Sequence, residues 1–130
     1  MTPELQALAR RAVACKGWRW MPGMKIHDRT LDIRVFALLS DGLHVASTDS
    51  RGGFVHSMSL NHPVGLPIPD LTDPATLGCL LTLVREAHSG KIVITVGKGW
   101  WRVELDSIEW EGEERAALIA ALVASLEAAP

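Results

Sequence analysis

Five histidines, two cysteines and a stretch rich in carboxylates are the side chains of this sequence best suited to chemistry, and their spacing decides which chemistry. The histidines are His27, His44, His56, His62 and His88. None belongs to an HExxH helix, which needs two imidazoles one turn apart, so a metal centre would have to be assembled from distant segments. His27-Asp28 is the best acid–base pair on paper, yet neighbours along an extended strand point to opposite sides. An enzyme built on His27 and nearby acids therefore needs a concave pocket that gathers further titratable groups. Cys15 and Cys79 sit in separate apolar helical patterns without a CxxC pair. They read as buried thiols acting as small hydrophobes in a reducing compartment. The chain has no GxSxG elbow, P-loop or GxGxxG, and Gly52-Gly53 and Gly97-Lys98-Gly99 read as hairpin turns rather than phosphate cradles. No catalytic residue, metal site or cofactor is expected.

Binding chemistry is better represented. The chain has five tryptophans and no tyrosine. Trp18-Arg19-Trp20, on an extended backbone, puts both indoles on one side and the guanidinium on the other. Trp100 and Trp101 must face opposite sides of their strand, so one belongs to the core and the other to the rim or surface. Exposed Trp beside Arg is the composition that protein-interface hot spots favour. Trp18, Arg19, Trp20, Trp100, Trp101, Arg102, Glu109 and Trp110 are therefore the candidate binding residues. The same indoles could stack on single-stranded bases, with Lys16, Arg19, Lys25, Arg29 and Arg34 supplying charge across residues 16–34. A net charge of −2 argues against a dense basic stripe, so nucleic acid is possible but not favoured as a partner. From Glu104 to Glu114 the chain carries six acids around Trp110. A solvated helix start accounts for most of this run. A sharper reading makes it a docking surface for a basic partner, such as a nucleic-acid-binding protein whose groove it would occupy.

At 130 residues, with 48% apolar and 22% charged side chains, the chain has the size and composition of a single globular domain spanning 1–130. Charge is unevenly spread: residues 1–65 hold 8 Lys/Arg against 5 Asp/Glu, and residues 66–130 hold 5 against 10. Such polarity can orient a partner or a second copy, and solvated faces also produce it by chance. Charges at Glu4, Arg10 and Arg11 interrupt the first apolar pattern, so an ordinary secretory signal is not expected. No run is apolar enough to cross a membrane. A cytoplasmic address follows, with the oligomeric state open.

These residues must be positioned by an α+β fold. Thr2-Pro3-Glu4 is a cap-plus-proline helix start, and apolar spacing continues the helix over 3–15, with Gly17 as its stop. Strands are predicted at Leu31–Leu39, Leu43–Ser47 and Phe54–Leu60, with Asp41-Gly42 as a hairpin turn and Thr48–Gly53 as a loop. Residues 61–72 hold three of the seven prolines and read as a crossover loop. Asp73-Pro74 starts a second helix with a buried stripe of Leu77, Leu80, Leu81 and Val84, ended by Gly90. Lys91–Val96 and Trp100–Leu105 form a second hairpin, and Leu118, Ile119, Leu122, Val123 and Leu126 mark a third helix. Glu111, Glu113 and Glu114 lie near its positive N-terminal end. The order is α-β-β-β-α-β-β-α, an antiparallel sheet of about five short strands with three helices.

Two segments, Trp18–Met24 (WRWMPGM) and Asp70–Ala87 (DLTDPATLGCLLTLVREA), together with the C-terminal helix, resemble a group of short, uncharacterised phage and prophage proteins. Residues 25–65 fall outside the resemblance. The resemblance implies a phage accessory context, in which small proteins often act stoichiometrically by occluding a host nuclease or defence complex, as anti-CRISPR proteins do. The expected function is a non-enzymatic interaction protein that binds a host or phage protein.

Overall fold

A computed structural model of the chain describes residues 1–28, 32–39, 42–49, 52–58, 67–89, 92–105 and 108–129. Helix α1 (Pro3–Val13) starts where the Thr2 hydroxyl accepts the Leu5 N–H at 3.2 Å. It ends at Val13, with Ala14 still in right-handed helical geometry, so Gly17 is not its left-handed stop. Gly17 serves close packing instead: a Cβ there would lie 3.2 Å from Leu126 Cδ1.

Strands β1 (Lys25–Ile26), β2 (Asp32–Leu39), β3 (Gly42–Asp49) and β4 (Gly52–Met58) form an antiparallel sheet in sequence order. The pairs Thr48↔Gly53 and Asp49↔Gly52 carry the β3–β4 ladder into Thr48–Gly53, where the sequence predicts a loop. Asp41, half of the expected Asp41-Gly42 turn, lies outside the described residues, and Gly42 opens β3.

Helix α2 (Pro74–Ala87) starts at Asp73, whose carboxylate accepts the Thr76 N–H at 2.9 Å. Its fully buried residues are Thr76, Leu80, Leu83 and Val84. Leu77 and Leu81 are only partly buried, so the face is rotated from the predicted leucine stripe. Thr76 can be buried because both ends of its hydroxyl are used: it donates to Asp73 and accepts the Lys25 N–H at 2.8 Å. The helix closes on His88, followed by Ser89 at φ 55°, and Gly90 lies outside the described residues.

Strands β5 (Ile92–Gly97), β6 (Trp100–Leu105) and β7 (Ile108–Gly112) form a second antiparallel sheet, ordered β5-β6-β7. Helix α3 (Arg115–Glu127) follows. The α+β class and its antiparallel pairing are those expected. The described residues hold seven strands in two sheets, however, not about five in one. The additions are β1, two residues long and held between β2 and the backbone of residues 68–70, and β7, which occupies the acidic stretch expected to start a helix.

Helix α3 touches α1, α2, β6 and β7, and its last three turns are buried almost all round. Ile119, Leu122, Val123 and Leu126 join Leu5, Ala9, Leu80, Leu83, Val84, Met24, Ile33, Val35 and Val45 in the main core. Ala121 instead meets Trp101 and Val103 of the second sheet.

Leu83→Ala and Leu122→Ala should each cost about 2–5 kcal/mol in denaturant unfolding, with Leu81→Ala costing less than either. Asp73 supplies a pH test. Burial pushes its carboxyl pKa up, but the Arg34 hydrogen bond, the Thr76 N–H and hydroxyl, and the Arg34 charge outweigh this and hold it at about 2. A depressed folded-state pKa gives stability that is present above the ordinary value of 3.8 and lost as pH falls through about 2. Asp73→Asn should flatten the acid limb of stability over that window in pH-dependent unfolding.

Candidate functional site

Alternation along β6 sorts the second sheet into two faces. Trp101 and Val103 point to α3 and are 6% and 0% exposed, whereas Trp100 is 45% exposed on the opposite face. Trp110, the cross-strand partner of Val103, packs on the α3 side with Trp101 and Ala121. The outer face carries Trp100, Arg102 and Glu104 from β6, Val93 and Thr95 from β5, and Glu109 and Glu111 from β7, in register across the strands.

Both indoles of the tryptophan pair lie over a glycine on the neighbouring strand. Trp100 covers its partner Gly97, where a Cβ would collide with the ring. Trp101 covers Gly112, where a Cβ would lie 2.9 Å from Trp101 Cζ2. Glycine in a strand is weak on its own, and here it gives a large ring room to lie flat. The Trp101 indole N–H donates to the Glu114 carbonyl at 3.0 Å, which fixes the start of α3 against β6. Glu114 offers no side-chain cap to that helix, and Arg115 adds a second tie by donating to the Thr72 carbonyl at 2.8 Å.

On the outer face Arg102 is surrounded by acids. Its Nε lies 3.1 Å from Glu109, its Nη2 donates to Glu111 at 3.2 Å, and its Nη1 lies 3.8 Å from Glu104. Each partner is 40% exposed or more, so these pairs contribute little stability, and their consequence is electrostatic. One guanidinium among three carboxylates leaves the face net negative, with the Trp100 ring at one side.

The other predicted binding residues are used elsewhere. Trp20 is buried in the main core, and Trp18 packs edge-on against it with ring centroids 5.5 Å apart. Their indoles do share a side, as the Trp-Arg-Trp spacing predicts, but that side faces inward. Trp20 and Trp101 therefore offer no exposed indole, and neither Trp18 nor Trp20 joins Trp100 on an open face. Arg19 points the other way and makes a two-pronged pair with Glu86 at 2.6 and 3.0 Å. Lys25 lies 3.6 Å from Asp70, and Arg34 grips Asp73 at 2.8 and 3.1 Å. Three of the five cations named for residues 16–34 are thus paired with acids on or just before α2. Arg29 lies outside the described residues.

His27 follows β1, His44 sits in β3, and His88 caps α2 with Nε2 2.6 Å from the Ser125 carbonyl. No group of His, Cys, Asp or Glu among the described residues is arranged to hold a metal ion. No helix among them is long and apolar enough to cross a membrane. Cys15 and Cys79 are partly buried rather than fully so, and burial raises both thiol pKa values. Cys15 lines a cavity of about 490 Å³ where α1 and α3 end beside Ala87, bordered by the Arg11–Glu127 ion pair at 2.7 Å. No protein-family model, curated protein or solved structure matches the chain.

Of the acidic run Glu104–Glu114 read as a docking surface, Glu104 and Glu111 share the outer face with Glu109, the one acid among the candidate binding residues. The alternation that places them is in the sequence: Ile108-Glu109-Trp110-Glu111 puts Glu109 and Glu111 on one side of a strand, and Trp100, Arg102 and Glu104 share one side of β6. Trp101→Phe should cost about 1 kcal/mol in equilibrium unfolding through loss of the Glu114 hydrogen bond. Gly97→Ala should displace the Trp100 ring and leave the rest of the sheet in place, read in NMR spectra as a changed Trp100 indole shift with the β5–β6 cross-strand contacts retained.

Proposed function

We propose that the protein acts by binding a partner protein through the outer face of the β5–β6–β7 sheet, with Trp100 as the anchor and Arg102, Glu104, Glu109 and Glu111 as its charged surround. The observation carrying this reading is the exposure of Trp100 beside a net acidic cluster. Val93, Val96 and Trp100 are the exposed large apolar side chains among the described residues, and all belong to one hairpin. A large aromatic surrounded by charge is the composition that interface hot spots favour, and the acids select a basic partner surface. Nucleic acid is disfavoured at this face because phosphates would meet three carboxylates.

The resemblance of the Trp18–Met24 and Asp70–Ala87 segments to phage and prophage proteins supports a host protein as the partner. In its most concrete form the face takes the place of phosphate charges in the nucleic-acid groove of a host nuclease or defence complex. Binding of this kind is stoichiometric and needs no catalytic group.

Immobilised wild-type protein, Trp100→Ala and the Glu109→Lys/Glu111→Lys double variant should be compared in capture from lysates of several bacterial hosts. A specific protein should be retained by wild type, weakened by roughly tenfold or more with either variant, and released by salt. Equal capture by all three forms, or no specific capture, contradicts the proposal.

A further inference from the structure

We propose that the open edge of β5 pairs with β5 of a second copy, joining two three-stranded sheets into one of six strands. This inference does not rest on the partner-binding role of the Trp100 face. In the order β5-β6-β7, β5 bonds only to β6, and among the described residues no other backbone group reaches it. Such an edge presents a row of free N–H and C=O groups that another strand can complete.

Edges that stay single are usually blunted by charge, proline or a bulge. Strand β5 reads Ile92-Val93-Ile94-Thr95-Val96-Gly97, with no charge and no proline, and its ladder with β6 runs without a register shift. It is rich in β-branched residues, the side chains that fit a paired, half-buried strand. Val93 is 54% exposed and Val96 is 73% exposed, on opposite faces of the strand. An antiparallel neighbour would flank both.

The chemistry of the edge selects an identical strand. Two copies of β5 meet about a two-fold axis with no like charges within the strands and with apolar side chains on both faces. The opposite edge behaves differently, because β7 carries Glu109 and Glu111 on its outer side. Two β7 edges would bring these carboxylates together. Assembly therefore closes at two copies instead of growing as a fibre, as an isologous interface requires. The two-fold axis runs through the sheet, so both Trp100 faces would lie on the same side of the dimer and present paired docking surfaces.

The full chain should be measured by light scattering and sedimentation over a range of concentrations. Wild type should approach twice 14.1 kDa and fall toward the monomer mass on dilution. Val96→Lys and the Val93→Lys/Val96→Lys double variant should raise the dimer dissociation constant by roughly tenfold or more, with unchanged far-ultraviolet circular dichroism. Glu109→Lys, placed on the other edge, should leave the dimer intact. Hydrogen exchange should show β5 amides gaining protection as wild-type concentration rises. A wild type that stays monomeric at its highest soluble concentration overturns the proposal. So does a dimer that survives in the folded double variant, or growth beyond two copies.

Discussion

The contact between Trp101 and the start of α3 is the interaction on which the second sheet depends. A three-stranded sheet with one wet face has little core of its own and gains stability by packing against a helix. Here the packing runs through Trp101, Val103 and Ala121, and the indole N–H is anchored on the Glu114 carbonyl. With that side fixed, strand alternation leaves Trp100 and Arg102 no choice but to face outward. The exposed tryptophan is thus the geometric consequence of the buried one beside it.

Helix α3 can serve two cores because its last three turns are nearly free of polar atoms. Its one buried hydroxyl, on Ser125, donates to the Ala121 carbonyl at 2.8 Å within the helix. Small residues such as Ala121 let strand β6 approach, while Ile119, Leu122 and Leu126 fill the side facing the other helices. The first sheet shares the main core through Ile33, Val35 and Val45 and is tied further by polar contacts. Arg34, Asp73, Thr76 and Lys25 form one partly buried polar network that ties β1 and β2 to the first turn of α2. Three of the five cations named for a polyanion, Arg19, Lys25 and Arg34, are paired with acids on or just before α2.

Much of the fold was legible where local chemistry alone decides structure. Thr2-Pro3 and Asp73-Pro74 start helices because a side-chain oxygen and a fixed φ act within one turn. Trp100–Leu105 forms the predicted strand, and its two tryptophans part to opposite faces because a strand has a period of two. Tertiary contacts governed what was missed. Strand β1 exists only through its pairing with β2 on one side and with residues 68–70 on the other, and the buried side of α2 is set by Thr76 finding Asp73 and Lys25. The acids before α3 fit a helix start because the dipole favours them there, yet the short alternation of Ile108–Gly112 prevails and makes β7. Trp20 shows the limit for the site: its sequence neighbours fit an exposed anchor as well as a core side chain, and only its packing places it inside.

The central claim is that the outer face of the second sheet, and not the Trp18–Arg34 region, meets the partner. Hydrogen exchange of the full chain, free and with its captured partner bound, tests this most directly. The account predicts new protection concentrated in Trp100–Glu104 and Ile108–Glu111, with little change across Lys16–Ile26. Protection confined to the first sheet or to the Trp18–Trp20 segment would contradict it.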